Sequence, residues 1–228
     1  MKKSDIIAVL ILGEIASWLI LLVIRGLLRP EIYDKLFNIL IIGLPILFPL
    51  ACLIFLYIAL LIAQKIAVVS QIAKFILVGG LNTLVDWGML SLLIFVFRNS
   101  SGISPKDIWL NIFSLTVVYY SLFKAISFIA ATVNSYVWNK FWTFRRKTTE
   151  KLTTEFFQFI VISVLGFLIN VGIASGVFRF ISPIGGLNPD QWGIVAAAIA
   201  TVLSMCWNFL GYKFIVFEKS NDRVSPIS

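Results

Sequence analysis

The sequence predicts an all-α membrane protein with six transmembrane helices, an N-terminal hairpin followed by two parallel repeated two-helix hairpins. Three observations lead there. The 228 residues are 60% hydrophobic and only 13% charged, with a mean hydropathy of +0.98, far outside the range of soluble domains. Six apolar runs reach the length of about 20 residues that a helix needs to cross a hydrocarbon core. The third and fourth runs are then echoed by the fifth and sixth, polar positions included. No polar segment is long enough to fold as a catalytic domain, and the lack of histidine removes the usual neutral-pH base and the commonest metal ligand. No catalytic residue, metal site, other cofactor or nucleic-acid partner is therefore expected, and the protein is not expected to be an enzyme.

The first run, 6–28, follows MKKSD. It is too long for a signal peptide and lacks a small-residue cleavage site, so it is expected to be retained as a span. The second, 36–63, holds Pro45 and Pro49, each of which removes a backbone donor and crowds the preceding turn, so a tilted or kinked helix is expected. The remaining runs are 75–97, 120–139, 156–178 and 194–214. Ahead of the fourth, the polar loop SSGISPKD leads into an apolar, aromatic stretch from Ile108 to Phe123, expected to lie as a short helix in the membrane interface. Cys52 and Cys206 stand alone in their runs and are expected as small buried hydrophobes.

With both termini in the cytoplasm, twelve Lys and Arg residues fall inside and seven outside, in agreement with the positive-inside rule. The inner set includes Lys140, Arg145, Arg146, Lys147, Lys151, Lys213, Lys219 and Arg223. A multi-pass protein of the cytoplasmic membrane is expected.

The repeat is visible when AKFILVGGLNTLVDWGML, from Ala73, is set over FQFIVISVLGFLINVGIA, from Phe157, at an offset of 84. Phe75 then pairs with Phe159, Asp86 with Asn170 and Gly88 with Gly172. The closing halves, NSYVWNKFWTF and WNFLGYKFIVF, align at an offset of 73, pairing Lys140 with Lys213 and Phe144 with Phe217. Each hairpin returns to the side it started from, so the two copies are parallel. The domain boundaries expected are an N-terminal extension over 1–70, a four-helix domain over 71–218 (copies at about 73–147 and 155–218) and a cytoplasmic tail over 219–228.

A hairpin that opens with FxxVGxxNTxxD, closes with an asparagine-rich N-[RK]-x-W-T-F ending and is repeated in weaker form resembles the GtrA-like family of multi-pass membrane proteins. The resemblance covers about 74–217 and rests on Gly79, Asn82, Thr83, Asp86, Asn139, Lys140, Trp142 and Phe144, with Asn208 and Lys213 in the second copy. Lys140 stands where the family usually has arginine, Asn134 is one place off the first asparagine, and Tyr212 replaces the second asparagine of copy two. The resemblance implies the translocation of polyprenyl-phosphate-linked sugars for cell-surface polysaccharide synthesis, or support of the glycosyltransferases that use them. A polyprenyl-phosphate lipid, the membrane, a glycosyltransferase and a second copy of the chain are the partners considered.

Read residue by residue, the polar positions fall into two groups. Gly79, Asn82, Thr83 and Asp86 recur at three- and four-residue steps on one helix face. Asn170, Asn134, and Ser204 with Asn208 lie on comparable small or polar stripes of the other three helices, so a polar cavity lined by these residues is expected. Glycines on such faces serve helix packing. An ionisable group in mid-bilayer costs roughly 2.5–3.5 kcal/mol on insertion scales and calls for a partner or a wet cavity. Asp86 is thus expected to accept hydrogen bonds from a sugar, to pair with a cation or to carry a proton. The second group, Lys140, Lys213, Asn139 and Tyr212, lies at helix ends where long side chains snorkel toward headgroups and is expected to hold a lipid phosphate. Glu14, inside the first run, is a further candidate and, with Asp86, raises the alternative of a proton-coupled exporter. No G-x-x-x-x-G-K-[ST] motif is present.

Overall fold

The computed structural model describes residues 1–113, 115–146, 152–186 and 188–217. Lys147, Lys151, Lys219, Arg223 and the expected tail 219–228 lie outside the described residues. The architecture is all-α but for one small hairpin: α1 (Lys3–Leu27), α2 (Pro30–Ile62), α3 (Val68–Ser101), β1 (Ile108–Ile112), β2 (Leu115–Val118), α4 (Tyr119–Trp138), α5 (Leu152–Phe180) and α6 (Pro189–Gly211). Among the described residues five helices are long and apolar enough to cross a membrane: α1, α2, α3, α5 and α6. α4 is not among these five; its 20 residues give a length of about 30 Å, but Lys124, Ser127, Thr132 and Asn134 dilute its apolar character.

Local chemistry sets the helix ends. α2 starts with Pro30 at its first position, where a missing N–H costs nothing. α3 stops at Gly102, whose φ of 68° lets its N–H reach back to Phe97 O and Arg98 O. Asn188 and Gln191 form a reciprocal capping box before α6, with Pro189 next in line. The interfacial helix expected over 108–123 is instead a β-hairpin: Ile108–Ile112 and Leu115–Val118 pair antiparallel, with an irregularity between Ile108 and Leu110. Short β-branched and aromatic runs such as IWLNI and LTVV favour strands, and only from Tyr119 does the chain become helical.

The chain divides into two compact units, Met1–Arg145 and one beginning at Arg146. In the first, α1 packs on α2 and α3, and α3 on α4. Its core takes Val9, Leu12 and Ala16 from α1, Cys52, Leu56 and Ala59 from α2, and Val78 and Leu81 from α3, each set at helical three- and four-residue steps. α1 and α2 meet at Gly13, where an added Cβ would lie 2.6 Å from Pro49 Cα. Ser17, one turn on, is fully buried, with its Oγ 2.8 Å from Gly13 O and 3.1 Å from Leu44 O. In the second unit α5 packs on α6, and the contact depends on Gly166 and Gly211, whose added Cβ atoms would fall 2.2 Å from Asn208 Oδ1 and 2.6 Å from Ile162 Cγ2. Gly88 is equally close to Leu19, whereas Gly79 faces open space. Cys52 is buried as expected, but Cys206 is exposed on α6, among apolar side chains such as Val202 and Leu203 that also point outward.

Both repeats end alike. After α4 the chain widens into a π-helical turn over Asn139–Thr143, and after α6 into another over Tyr212–Val216. Phe144 N bonds to Asn139 O and Phe217 N to Tyr212 O, five-residue steps at positions related by the offset of 73. Such insertions are uncommon and gather at functional sites.

Candidate functional site

On α3 Asp86 reaches α4, while Asn82 is half-buried and Thr83 is exposed. Asp86 forms an ion pair with Lys124, and its other carboxylate oxygen accepts a hydrogen bond of 2.7 Å from Ser127 Oγ. Of the roles open to Asp86 on sequence grounds, the structure places it beside a cation. Ser127 Oγ also lies 3.0 Å from Lys124 O; its single proton is better used by the charged acceptor. The Asp86 side chain retains 20% exposure and that of Lys124 42%, so the pair is only partly enclosed. Thr83 bonds only to Gly79 O of its own helix. Asn82 Oδ1 and Asn134 Nδ2, an acceptor on α3 and a donor on α4, are buried with no hydrogen-bond partner among the described residues. Buried polar groups are nearly always satisfied, and such orphans mark places where water or a polar ligand would be held.

The second copy carries the same device without charge. Asn170 Nδ2 donates to Ser204 Oγ at 3.2 Å and lies 3.5 Å from Thr201 Oγ1. The residue matching Lys124 at the offset of 73 is Ala197, so an aspartate–lysine pair in copy one is replaced by a neutral amide and an alanine in copy two. Asn208 Oδ1 is another buried orphan, pressed against Gly166, while its neighbour Trp207 donates to Ile162 O at 3.2 Å.

The lysines of the two π-helical turns are each cradled by aromatics at the same spacing. Lys140 Nζ lies 5.5 Å from the Tyr136 ring and 5.8 Å from that of Phe141; Lys213 Nζ lies 5.7 Å from Phe209 and 5.3 Å from Phe214. Each uses the ring four residues before and one after, an arrangement that favours a cation. Lys213 is half-buried. Lys140 departs from the snorkelling expected of it: the residue is fully buried, with Nζ 3.2 Å from Tyr136 OH. Beside it Asn139 Nδ2 donates to Ser135 O at 2.9 Å, and Asn139 Oδ1 has no hydrogen-bond partner among the described residues. At the matching place Tyr212 is buried, stacked on Phe159 at 4.3 Å, with its hydroxyl 2.7 Å from Ser163 Oγ.

Glu14 stands apart from these groups. Its carboxylate accepts from Trp18 Nε1 at 2.8 Å beside an open groove of about 550 Å³ formed with Ile11, Ile15, Pro45 and Pro49. Sequence reasoning missed Lys124 as the partner of Asp86, and it missed a cluster of the buried Asp5, Lys74 and Trp142 with the exposed Arg145. The only available signal for Lys124 was an isolated cation near the start of an apolar run. For Asp5 there was none, because its partners lie 69 and more residues away.

Comparison with known proteins bears on the segment that holds these groups. Residues 74–217 match the family model described as GtrA/DPMS, transmembrane domain. The chain is also 30% identical over 160 residues, 68% of its length and 85% of the relative's, to the uncharacterized membrane protein YngA of Bacillus subtilis (strain 168). No solved structure matches the chain.

Proposed function

The chain belongs to the GtrA/DPMS transmembrane-domain family, and from that premise we propose that it flips a polyprenyl-phosphate-linked sugar across the cytoplasmic membrane for cell-surface polysaccharide synthesis, without catalysing a reaction itself. The tail stays in lipid while the polar head crosses along the α3–α4 pair, and all six helices are crossings that leave both termini in the cytoplasm. One observation carries the reading: within one packed helix pair an ion pair, Asp86 with Lys124, lies on the same α3 face as Asn82, and the half-buried Asn82 and Asn134 each bury one amide atom with no hydrogen-bond partner among the described residues. A sugar hydroxyl both donates and accepts, which is what an orphan acceptor and an orphan donor call for. Lys140, at the turn that ends that pair, supplies positive charge for the phosphate, and Lys213 offers the same charge at the corresponding turn of the second unit, taken by itself. Any driving force comes from a gradient or from consumption of the product.

Flipping of a labelled polyprenyl-phosphate sugar in reconstituted vesicles should be lost in Asp86→Ala and Lys140→Ala protein that remains folded; normal flipping by both variants sinks the proposed route. A second reading, a non-catalytic anchor that recruits a glycosyltransferase, is favoured by the enclosure of Lys140 and the pairing of Asp86, which leave both charges engaged within the chain. Co-purification of an enzyme through the loop after Arg145, with no transport by the isolated protein, would select it.

A further inference from the structure

A second polar centre lies at the opposite end of the first unit's helices from the β-hairpin, built around Asp5. Its carboxylate is held by Lys74 Nζ at 2.5 Å, by Trp142 Nε1 at 3.1 Å, and by Arg145 Nη2 at 2.9 and 2.8 Å from its two oxygens. Asp5 and Lys74 are 3% and 4% exposed, and the lysine also lies 5.4 Å from the Trp142 ring. An ammonium, a guanidinium and an indole N–H converging on one group form a receptor for an oxyanion.

Among the described residues the charges do not balance. Lys74 and Arg145 bring two positive charges to one carboxylate, and Lys2 acts electrostatically on the same corner. A phosphate ester offers more acceptor oxygens than a carboxylate and carries up to two negative charges. The division along the chain is equally informative. The three donors lie within the family-matched segment 74–217, whereas Asp5 belongs to α1, outside it. The family domain supplies the receptor and the added helix supplies its occupant. Arg145 leaves a way in: its side chain is 43% exposed, although its backbone is held at φ 54°, in the left-handed region a non-glycine residue seldom adopts.

We propose that Lys74, Trp142 and Arg145 form a site for the phosphate of a lipid headgroup, and that Asp5 fills it as a built-in surrogate, making the start of α1 a releasable plug. That the phosphate is lipid-borne rests on the transport reading above; the anion site itself does not. The test uses the full chain in phosphatidylcholine nanodiscs, with decaprenyl monophosphate and inorganic phosphate as separate probes. Asp5→Asn should bind the lipid probe at least about tenfold more tightly than the wild type, and Asp5→Asn/Arg145→Gln should lose that gain. A gain with inorganic phosphate alone overturns the lipid assignment, and no gain with either probe overturns the site. In wild-type protein, amides at the start of α1 should exchange faster with deuterium when the lipid probe is saturating. Unchanged exchange overturns the plug, and this measurement decides alone if the variant does not fold. Binding is read here without transport, so a failure of flipping leaves the result intact.

Discussion

The Asp86–Lys124 pair allows structure and function to be separated by a double-mutant cycle. At contact distance two unit charges attract by about 4 kcal/mol at an effective dielectric of 20, but exposures of 20% and 42% and the cost of holding the side chains remove much of that. Lys124→Met leaves the less exposed group, a carboxylate served only by Ser127, and should cost about 2–3 kcal/mol. Asp86→Ala should cost less, about 1–2 kcal/mol, because the lysine stem can carry its ammonium to water. The double variant should cost less than the sum of the two by about 1.5 kcal/mol. Reversible unfolding in bicelles measures the cycle, with lipid flipping followed in parallel. The double variant should be about as stable as Lys124→Met alone and should not transport. Additive costs would show that the pair contributes no coupling, and restored flipping would show that Asp86 merely neutralises Lys124.

Asn170→Asp introduces the charge of copy one where Ala197 offers no cation; it should lower stability by about 2–3 kcal/mol, and Asn170→Asp/Ala197→Lys should recover part of the loss in the same unfolding assay. Gly13→Ala should force α1 and α2 apart by about 1 Å and cost about 1–3 kcal/mol, because the atom it meets is Pro49 Cα, in the backbone, whereas Gly79→Ala, which meets nothing, should leave the thermal midpoint unchanged or slightly raised. Tyr212→Phe keeps the stack on Phe159 but removes the bond to Ser163, so a loss of about 1 kcal/mol is expected, with Ser163→Ala adding little on that background. Equal losses from the two glycine variants would count against the close approach of α1 and α2.

Much was legible in the sequence because it depends on local pattern. Apolar runs of bilayer length specify helices, and α1, α2, α3, α5 and α6 lie where those runs do. The offsets of 84 and 73 align residues that prove equivalent in detail: the π-helical turns, the aromatic cradles of Lys140 and Lys213, and the bonds of Asp86 and Asn170 to the next helix. The stretch 108–118 was misread because a short apolar segment does not declare its period, and its β-branched residues decided for strands.

Three features needed the tertiary structure. Lys140 looks like an interfacial lysine at a helix end, but packing encloses it completely beside Tyr136, whereas Lys213 in the matching turn stays half-buried. Lys124 looks like an isolated cation near the start of an apolar run, but the approach of α4 to α3 gives it to Asp86. Asp5 looks like part of a polar leader, yet Lys74, Trp142 and Arg145 surround it. Periodicity tells which side of its own helix a residue occupies; which charge it meets depends on how separate helices pack, and that no local pattern encodes.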